Sequence, residues 1–247
     1  MQQQILTVQR PRALTADVRE LVLTGDLSAV TAPGQFVNVQ LPGFFLRRPI
    51  SVCDFDDGTL TLVYKIVGDG TAALARAVPG DRLDVLTGLG NGYDLAKSGD
   101  RPLLIGGGVG VPPLYGLAKR LTAQGKDVTV ILGFNRAAEC FYAPEFAALG
   151  ARVIVATADG SAGVRGFVTD AMAGLDYSYF YTCGPEPMLR AVDRIARTSG
   201  QFSFEARMAC GFGACMGCSC RTKFKTKRIC ADGPVLEREE LQWQTPT

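Results

Sequence analysis

The 247-residue sequence has no histidine, no strong excess of either charge and no apolar run near the roughly 20 residues that cross a bilayer. Without imidazole there can be no Ser-His-Asp triad, Cys-His dyad, His-ligated zinc, Rieske centre or His-ligated haem. With 26 basic against 24 acidic side chains the net charge is +2, too little to form the concentrated basic surface that binds nucleic acid. Without a spanning run no membrane association is expected. Met1 to Leu6 lacks the basic and apolar regions of a secretory signal, so a cytoplasmic protein is expected.

Cysteine is abundant instead, with eight residues, and in a reducing compartment these are expected to be ligands, redox groups or small buried side chains. Cys53, Cys140 and Cys183 are scattered, whereas Cys210, Cys215, Cys218, Cys220 and Cys230 crowd together.

Residues 1–98 contain short apolar or alternating runs at Ile5 to Gln9, Val18 to Thr24, Gln35 to Leu41, Ile50 to Cys53, Leu60 to Val67 and Arg82 to Leu86. Turn residues such as Pro33-Gly34 and Pro79-Gly80-Asp81 separate them. Six short strands at this spacing predict a small antiparallel barrel, with one helix at Thr71 to Ala77. In residues 99–200 the texture changes. Apolar strands at Pro102 to Ile105, Asp127 to Leu132, Val153 to Ala156 and Tyr179 to Thr182 alternate with helices at Leu114 to Ala123, Pro144 to Leu149, Gly166 to Ala173 and Pro187 to Thr198. This order predicts a parallel sheet covered on both faces. Residues 201–247 form a small module rich in cysteine and glycine, so the fold class is β plus α/β with a C-terminal metal-binding module.

Three motifs carry chemistry in the first 200 residues. The run Gly106-Gly107-Gly108-Val109-Gly110 follows a strand and opens a helix, where bare backbone can approach a pyrophosphate. A tight turn without a ligand is the plainer reading. Its spacing is not G-x-G-x-x-G, and the strand that would end on an acidic ribose ligand ends instead at Gly133-Phe134-Asn135-Arg136. Arg136 there could meet a 2′-phosphate. Thr182-Cys183-Gly184-Pro185-Glu186-Pro187-Met188 is a second strand-to-helix turn, placed to face the same cleft. In the barrel, Arg48-Pro49-Ile50-Ser51 sets a guanidinium and a hydroxyl three residues apart, suited to a phosphate and a flavin edge, although paired arginines are more often solvated.

Cys210, Cys215 and Cys218 have C-x4-C-x2-C spacing, with Cys230 as a distant fourth cysteine. This is the plant-type [2Fe-2S] pattern, and Gly211, Gly213 and Gly217 give the loop freedom to wrap a cluster. A four-cysteine zinc site is the rival. Cys220 is the extra cysteine and is set aside as a non-ligand. Arg221, Lys223, Lys225 and Lys227 recur with period two, which predicts four cations on one face of a strand, either solvated or guiding a partner to the cluster.

Taken in order, Arg48 to Ser51, Gly68-Asp69-Gly70-Thr71, the Gly106 to Gly110 turn and Cys183 to Met188 resemble the ferredoxin reductase-like flavoproteins. The resemblance implies an FAD-binding barrel over 1–98 and an NAD-binding domain over 99–200. Arg48, Pro49, Ile50 and Ser51 would lie along the flavin and its phosphates, Val63, Tyr64 and Lys65 beside the ring or ribityl chain, and Gly70 and Thr71 at the pyrophosphate. Gly106, Gly107, Gly108, Gly110, Gly184, Pro185 and Met188 would hold NAD, with Cys183 as the catalytic residue beside the nicotinamide. Glu205 to Cys218, ending in Cys230 to Val235, is similar to the electron-transfer subunits of dihydroorotate dehydrogenase B. That implies a [2Fe-2S] cluster on Cys210, Cys215, Cys218 and Cys230. It also implies an FMN-containing dihydroorotate dehydrogenase partner, a heterotetramer with two copies of each subunit, and delivery of electrons to NAD+ in pyrimidine biosynthesis. Related subunits of NADH-dependent ferredoxin:NADP oxidoreductases and sulfide dehydrogenases are the alternative, with a freestanding NAD(P)H reductase and a zinc-stabilised interaction module behind them.

Overall fold

A computed structural model describes residues 1–243, so residues 244–247 of the cysteine-rich segment lie outside the described residues. Six strands, β1 (Gln2–Ala13), β2 (Val18–Thr24), β3 (Phe36–Val39), β4 (Arg48–Asp56), β5 (Thr59–Lys65) and β6 (Arg82–Leu89), close an antiparallel barrel in the order β1-β2-β5-β4-β3-β6. Alternation drives the closure: along β6, Leu83, Val85, Thr87 and Leu89 point inward while their neighbours face out. Leu83 and Val85 join Leu6, Leu21, Leu23, Val37, Leu60 and Leu62 in one apolar filling. Helix α1 (Asp69–Leu74) starts two residues before the expected Thr71, because the Thr71 hydroxyl accepts the free amides of Val67 (2.9 Å) and Gly68 (3.3 Å).

The second half alternates β7 (Pro102–Gly107), α2 (Tyr115–Ala123), β8 (Thr129–Phe134), α3 (Ala143–Ala148), β9 (Arg152–Thr157), β10 (Val164–Arg165), α4 (Val168–Ala171), β11 (Tyr179–Cys183) and α5 (Glu186–Ile195). β12 (Gly200–Ser203) follows, then the hairpin β13 (Ser219–Arg221) and β14 (Thr226–Arg228), α6 (Ile229–Asp232) and β15 (Val235–Glu237). The sheet order is β10-β9-β8-β7-β11-β12-β15, parallel except for the last edge strand, β15. A division at residue 200 falls on the first residue of β12, and β15 returns the chain from the cysteine segment to the sheet. The central strands are buried along their whole length, as expected when helices cover both faces.

Two expectations are corrected. The glycine run does not open directly into a helix: Gly108–Gly110 and Pro112–Leu114 form two 3-10 turns before α2, with a proline pair that has no backbone N–H to donate. The basic residues do not share one strand face. Thr222 closes a turn on Lys225, its amide donating to the Lys225 carbonyl (2.9 Å) and its hydroxyl accepting the Lys225 amide (3.2 Å). Arg221 therefore ends β13, Lys223 and Lys225 sit in the turn, and Lys227 lies on β14, paired with Glu240 at 2.5 Å.

Barrel and sheet share one core, in which Val18, Cys53 and Val63 pack with Leu114, Leu117 and Tyr142. Polar clamps fix the junction. Asp54 of β4 receives Lys119 of α2 at 2.6 Å. Glu20 of β2 is 3% exposed, holds Arg12 through two hydrogen bonds (3.0 and 2.7 Å), and accepts the Tyr142 hydroxyl from the sheet side at 2.7 Å. A hydrogen bond to a buried charge is worth about 1.5–3 kcal/mol, so Tyr142→Phe is expected to lower unfolding stability by about that amount. An unchanged urea midpoint would show that the clamp does not hold the junction.

Candidate functional site

Two cavities open along the seam between barrel and sheet. The smaller, about 270 Å³, is lined by Pro49, Ile50 and Ser51 of β4, Val63, Tyr64 and Lys65 of β5, and Thr71 of α1. Phe36, Phe204, Ala206, Met208 and Pro234 also line it. Arg48 lies over α1, where a Cβ at Gly70 would overlap its guanidinium, and it stacks on Phe44 at 4.7 Å from the ring centre. The guanidinium and the start of α1 thus stand together, an arrangement suited to a phosphate group.

The larger cavity, about 570 Å³, lies beyond the carboxyl ends of β7, β8 and β11. Gly107, Gly108, Pro185 and Met188 line it, so both strand-to-helix turns reach one space. The turns interlock. A Cβ at Gly107 would stand 2.5 Å from the Met188 sulfur, and one at Gly110 would strike the Cys183 carbonyl. Gly184 has φ +156° and packs on the Gly107 amide, while Gly106 is closed off by Val111. Side chains here would block the approach of the two turns, so glycine serves their contact as well as their conformation. Cys183 lies behind the turn and lines neither cavity; burial pushes its thiol up to about 12, which keeps it protonated.

Lys65, Val109 and Glu205 line both cavities and so mark their meeting point. Glu205 was not singled out among the sequence candidates, although it opens the segment leading to the cysteine motif. Its carboxylate faces the open cleft, yet enough protein surrounds it that burial raises it above its ordinary 4.5. Across the cleft mouth Lys65 pairs with Asp17 at 3.0 Å.

The cysteine loop begins two residues after Met208, so the Cα atoms of Met208 and Cys210 can be at most about 7 Å apart. Gly211 and Gly213 adopt φ +77° and +92°, and Met216 also takes a positive φ of 61°. The loop turns amides onto sulfurs: Cys215 N–H points at Cys210 Sγ (3.5 Å), Gly217 N–H at Cys215 Sγ (3.5 Å) and Cys230 N–H at Cys218 Sγ (3.4 Å). Burial raises the Cys210 thiol, but the amides of Phe212, Cys215 and Ala214 outweigh it and hold the group at about 6. Cys218 and Cys230 are buried with their sulfurs 3.2 Å apart, whereas Cys215 is exposed. Among the described residues, no three His, Cys, Asp or Glu side chains converge on a single metal ion. Cys220, opposite Lys227 in the hairpin, packs against the core cluster that includes Ile229 and Leu241. Asn38 of β3 ties the loop to the barrel by donating to the Cys210 carbonyl at 3.2 Å, and its own buried Oδ1 has no hydrogen-bond partner among the described residues.

The family model described as the iron-sulfur cluster binding domain of dihydroorotate dehydrogenase B matches residues 205–242, and the oxidoreductase NAD-binding domain matches residues 104–194. The chain is 43% identical over 255 residues to the dihydroorotate dehydrogenase B (NAD(+)) electron transfer subunit of Geobacillus sp. (strain WCH70), covering 98% of this chain and 99% of that one. The subunit of the same name from Bacillus caldolyticus is 45% identical over 250 residues, covering 96% and 97%. The chain belongs to the dihydroorotate dehydrogenase B electron-transfer subunits. A solved structure of an NADH-dependent reduced ferredoxin-NADP oxidoreductase is also similar, with TM-score 0.88 and 30% identity over 97% of this chain and 90% of that one. Membership makes this chain an oxidoreductase subunit of an NAD-linked flavoprotein family that works with a catalytic partner and transfers electrons to NAD+ in pyrimidine biosynthesis. Its cofactors are an iron-sulfur cluster, FAD and NAD. No described helix is long and apolar enough to cross a membrane.

The raised Glu205 carboxyl means that the folded chain favours its protonated form. Its ionisation therefore weakens the fold, by an amount that grows as pH rises from the ordinary 4.5 through the raised value and then levels off. Glu205→Gln is expected to be more stable than the parent at pH 7 and to lose that advantage below 4.5. Thermal unfolding across this range checks the sign, and an advantage that is largest in acid contradicts it.

Proposed function

We propose that the smaller cavity seats the flavin of FAD against Pro49, Ile50, Ser51, Val63, Tyr64 and Lys65, with its pyrophosphate between Arg48 and the Gly70-Thr71 start of α1. The larger cavity takes NAD. Gly107, Gly108 and Gly110 bring bare backbone to its phosphates, and Gly184, Pro185 and Met188 guide the nicotinamide toward Val109 and Glu205, where the cavities meet. Gly106 lets the turn fold back on Val111. Cys183 stands behind this point as a neutral thiol, supporting the turn through its carbonyl contact with Gly110 and leaving the nicotinamide face uncharged.

A [2Fe-2S] cluster fits Cys210, Cys215, Cys218 and Cys230. The observation that carries this is the set of amides aimed at cysteine sulfurs, which stabilises thiolate charge. When bound, the cluster carries single electrons and FAD exchanges them for the hydride of NAD, chemistry that belongs to the cofactors. The chain supplies position. The exposed Cys215 side of the loop faces outward, and Phe212 and Met216, 47% and 54% exposed, flank it as apolar contacts for a partner. That partner is an FMN-containing dihydroorotate dehydrogenase subunit, and the assembly is a heterotetramer with two copies of each chain. The domain division is 1–98 for FAD, 99–200 for NAD and 201–247 for the cluster. The complex is cytoplasmic, in keeping with thiolate ligands that need reducing conditions.

Serine substitution of each cysteine tests the ligand set. Cys230→Ser is expected to abolish or shift the electron paramagnetic resonance signal of the reduced cluster, and Cys220→Ser to leave it as in the parent. An unaltered signal in Cys230→Ser, or its loss in Cys220→Ser, overturns the assignment.

A further inference from the structure

The loop after β8 holds a carboxylate where the sequence shows none at the strand end. β8 finishes at Phe134, followed by Asn135 and Arg136, and a 3-10 turn at Ala137–Glu139 swings Glu139 back over both. One carboxylate oxygen of Glu139 accepts the Arg136 Nε–H at 2.9 Å, and the other accepts the Asn135 amide at 2.9 Å. The turn is anchored from the next loop: Ala137 N–H donates to Ser161 Oγ (2.7 Å), and that hydroxyl donates to Asp159 (2.6 Å). Asn135 and Glu139 line the larger cavity together with Ala158 and Phe167. Arg136 is not part of that lining, and its side chain is 67% exposed.

We propose that Glu139 is the specificity-determining residue by which this chain rejects nucleotides carrying a 2′-phosphate. The inference rests on placing NAD in the larger cavity. In an open parallel sheet the adenosine ribose lies beyond the carboxyl end of the second strand, which here is β8. A carboxylate at this point accepts hydrogen bonds from free ribose hydroxyls. It repels a phosphate at the same place, because like charges brought together across a binding site oppose association strongly. Glu139 also occupies Arg136, a nearby group suited to a 2′-phosphate, so a single side chain supplies the attractive contact for one nucleotide and two obstacles to the other. Asn135, held on the second carboxylate oxygen, fixes the direction in which that carboxylate faces.

Calorimetric titration of the FAD-loaded protein with NAD+ and with NADP+ tests this without turnover. Glu139→Gln is expected to narrow the preference for NAD+ over NADP+ by about tenfold or more, chiefly through tighter NADP+ binding. Arg136→Ala alone is expected to leave both affinities within about twofold of the parent, as befits an exposed arginine already engaged. In the Glu139→Gln background the same Arg136→Ala change should return part of the gained NADP+ affinity. An unchanged NAD+ to NADP+ ratio in Glu139→Gln overturns the proposal, as does weaker NADP+ binding in Arg136→Ala alone. Ala158→Trp, which fills the cavity from its rim, separates this failure from a misplaced nucleotide site. If that variant, with normal FAD content, binds NAD+ like the parent, the nucleotide is not in this cavity and the underlying reading falls. If it loses NAD+ while Glu139→Gln keeps the parental ratio, only the role of Glu139 falls.

Discussion

The path of the chain from Phe204 to Cys210 is the constraint on which the rest of the molecule depends. After β12 leaves the parallel sheet, Phe204, Glu205, Ala206 and Met208 line the smaller cavity, with Glu205 also in the larger, and Cys210 begins the cluster loop. Covalent continuity thus keeps the cysteine loop within a few residues of the place where the two cavities meet. No hinge or long linker separates them, and electron transfer over a short protein path is what such an arrangement serves. The antiparallel return of β15 onto β12 closes the segment into a loop anchored at both ends.

The other contacts hold this geometry steady. Asn38 ties the Cys210 carbonyl to the barrel, and the clamp among Glu20, Arg12 and Tyr142 fixes the barrel against the sheet. A displacement at this seam would change the width of the cavity junction at Lys65, Val109 and Glu205. Around the sites a neutral Cys183 stands behind the turn, amides point at the cysteine sulfurs, and Glu205 meets Lys65 at the junction of the cavities. The absence of histidine accords with a chain that positions redox groups, whose chemistry is the cofactors' own.

Much of this was legible in the sequence where a physical requirement leaves a pattern. Period-two alternation marked the barrel strands, fully apolar runs marked β7 and β11, and the spacing of Cys210, Cys215 and Cys218 marked the segment that the iron-sulfur family model matches. What escaped notice depends on tertiary approach. Glu205 is one carboxylate in an irregular segment, and only folding places it between two cavities. Glu139 supplies an acid to the end of β8 from a turn several residues on, so a search at the strand end passes over it. The basic alternation from Arg221 to Lys227 looked like a strand face, but the side-chain closure of Thr222 on Lys225 was the stronger local preference. β15 is only three residues long and takes its place from the edge that β12 offers.

In the proposed division of labour this chain joins a cluster at its surface to a nucleotide cleft and depends on a partner for dihydroorotate. Anaerobic measurement of dihydroorotate-dependent NAD+ reduction, with the chain alone and coexpressed with its catalytic partner, tests that division of labour. The expected results are no dihydroorotate oxidation by the isolated chain, robust NAD+ reduction by the complex, and loss of that reduction in a Cys210→Ser complex that still lets NADH bleach the flavin. Oxidation of dihydroorotate by the chain alone, or full NAD+ reduction by the Cys210→Ser complex, would contradict that division.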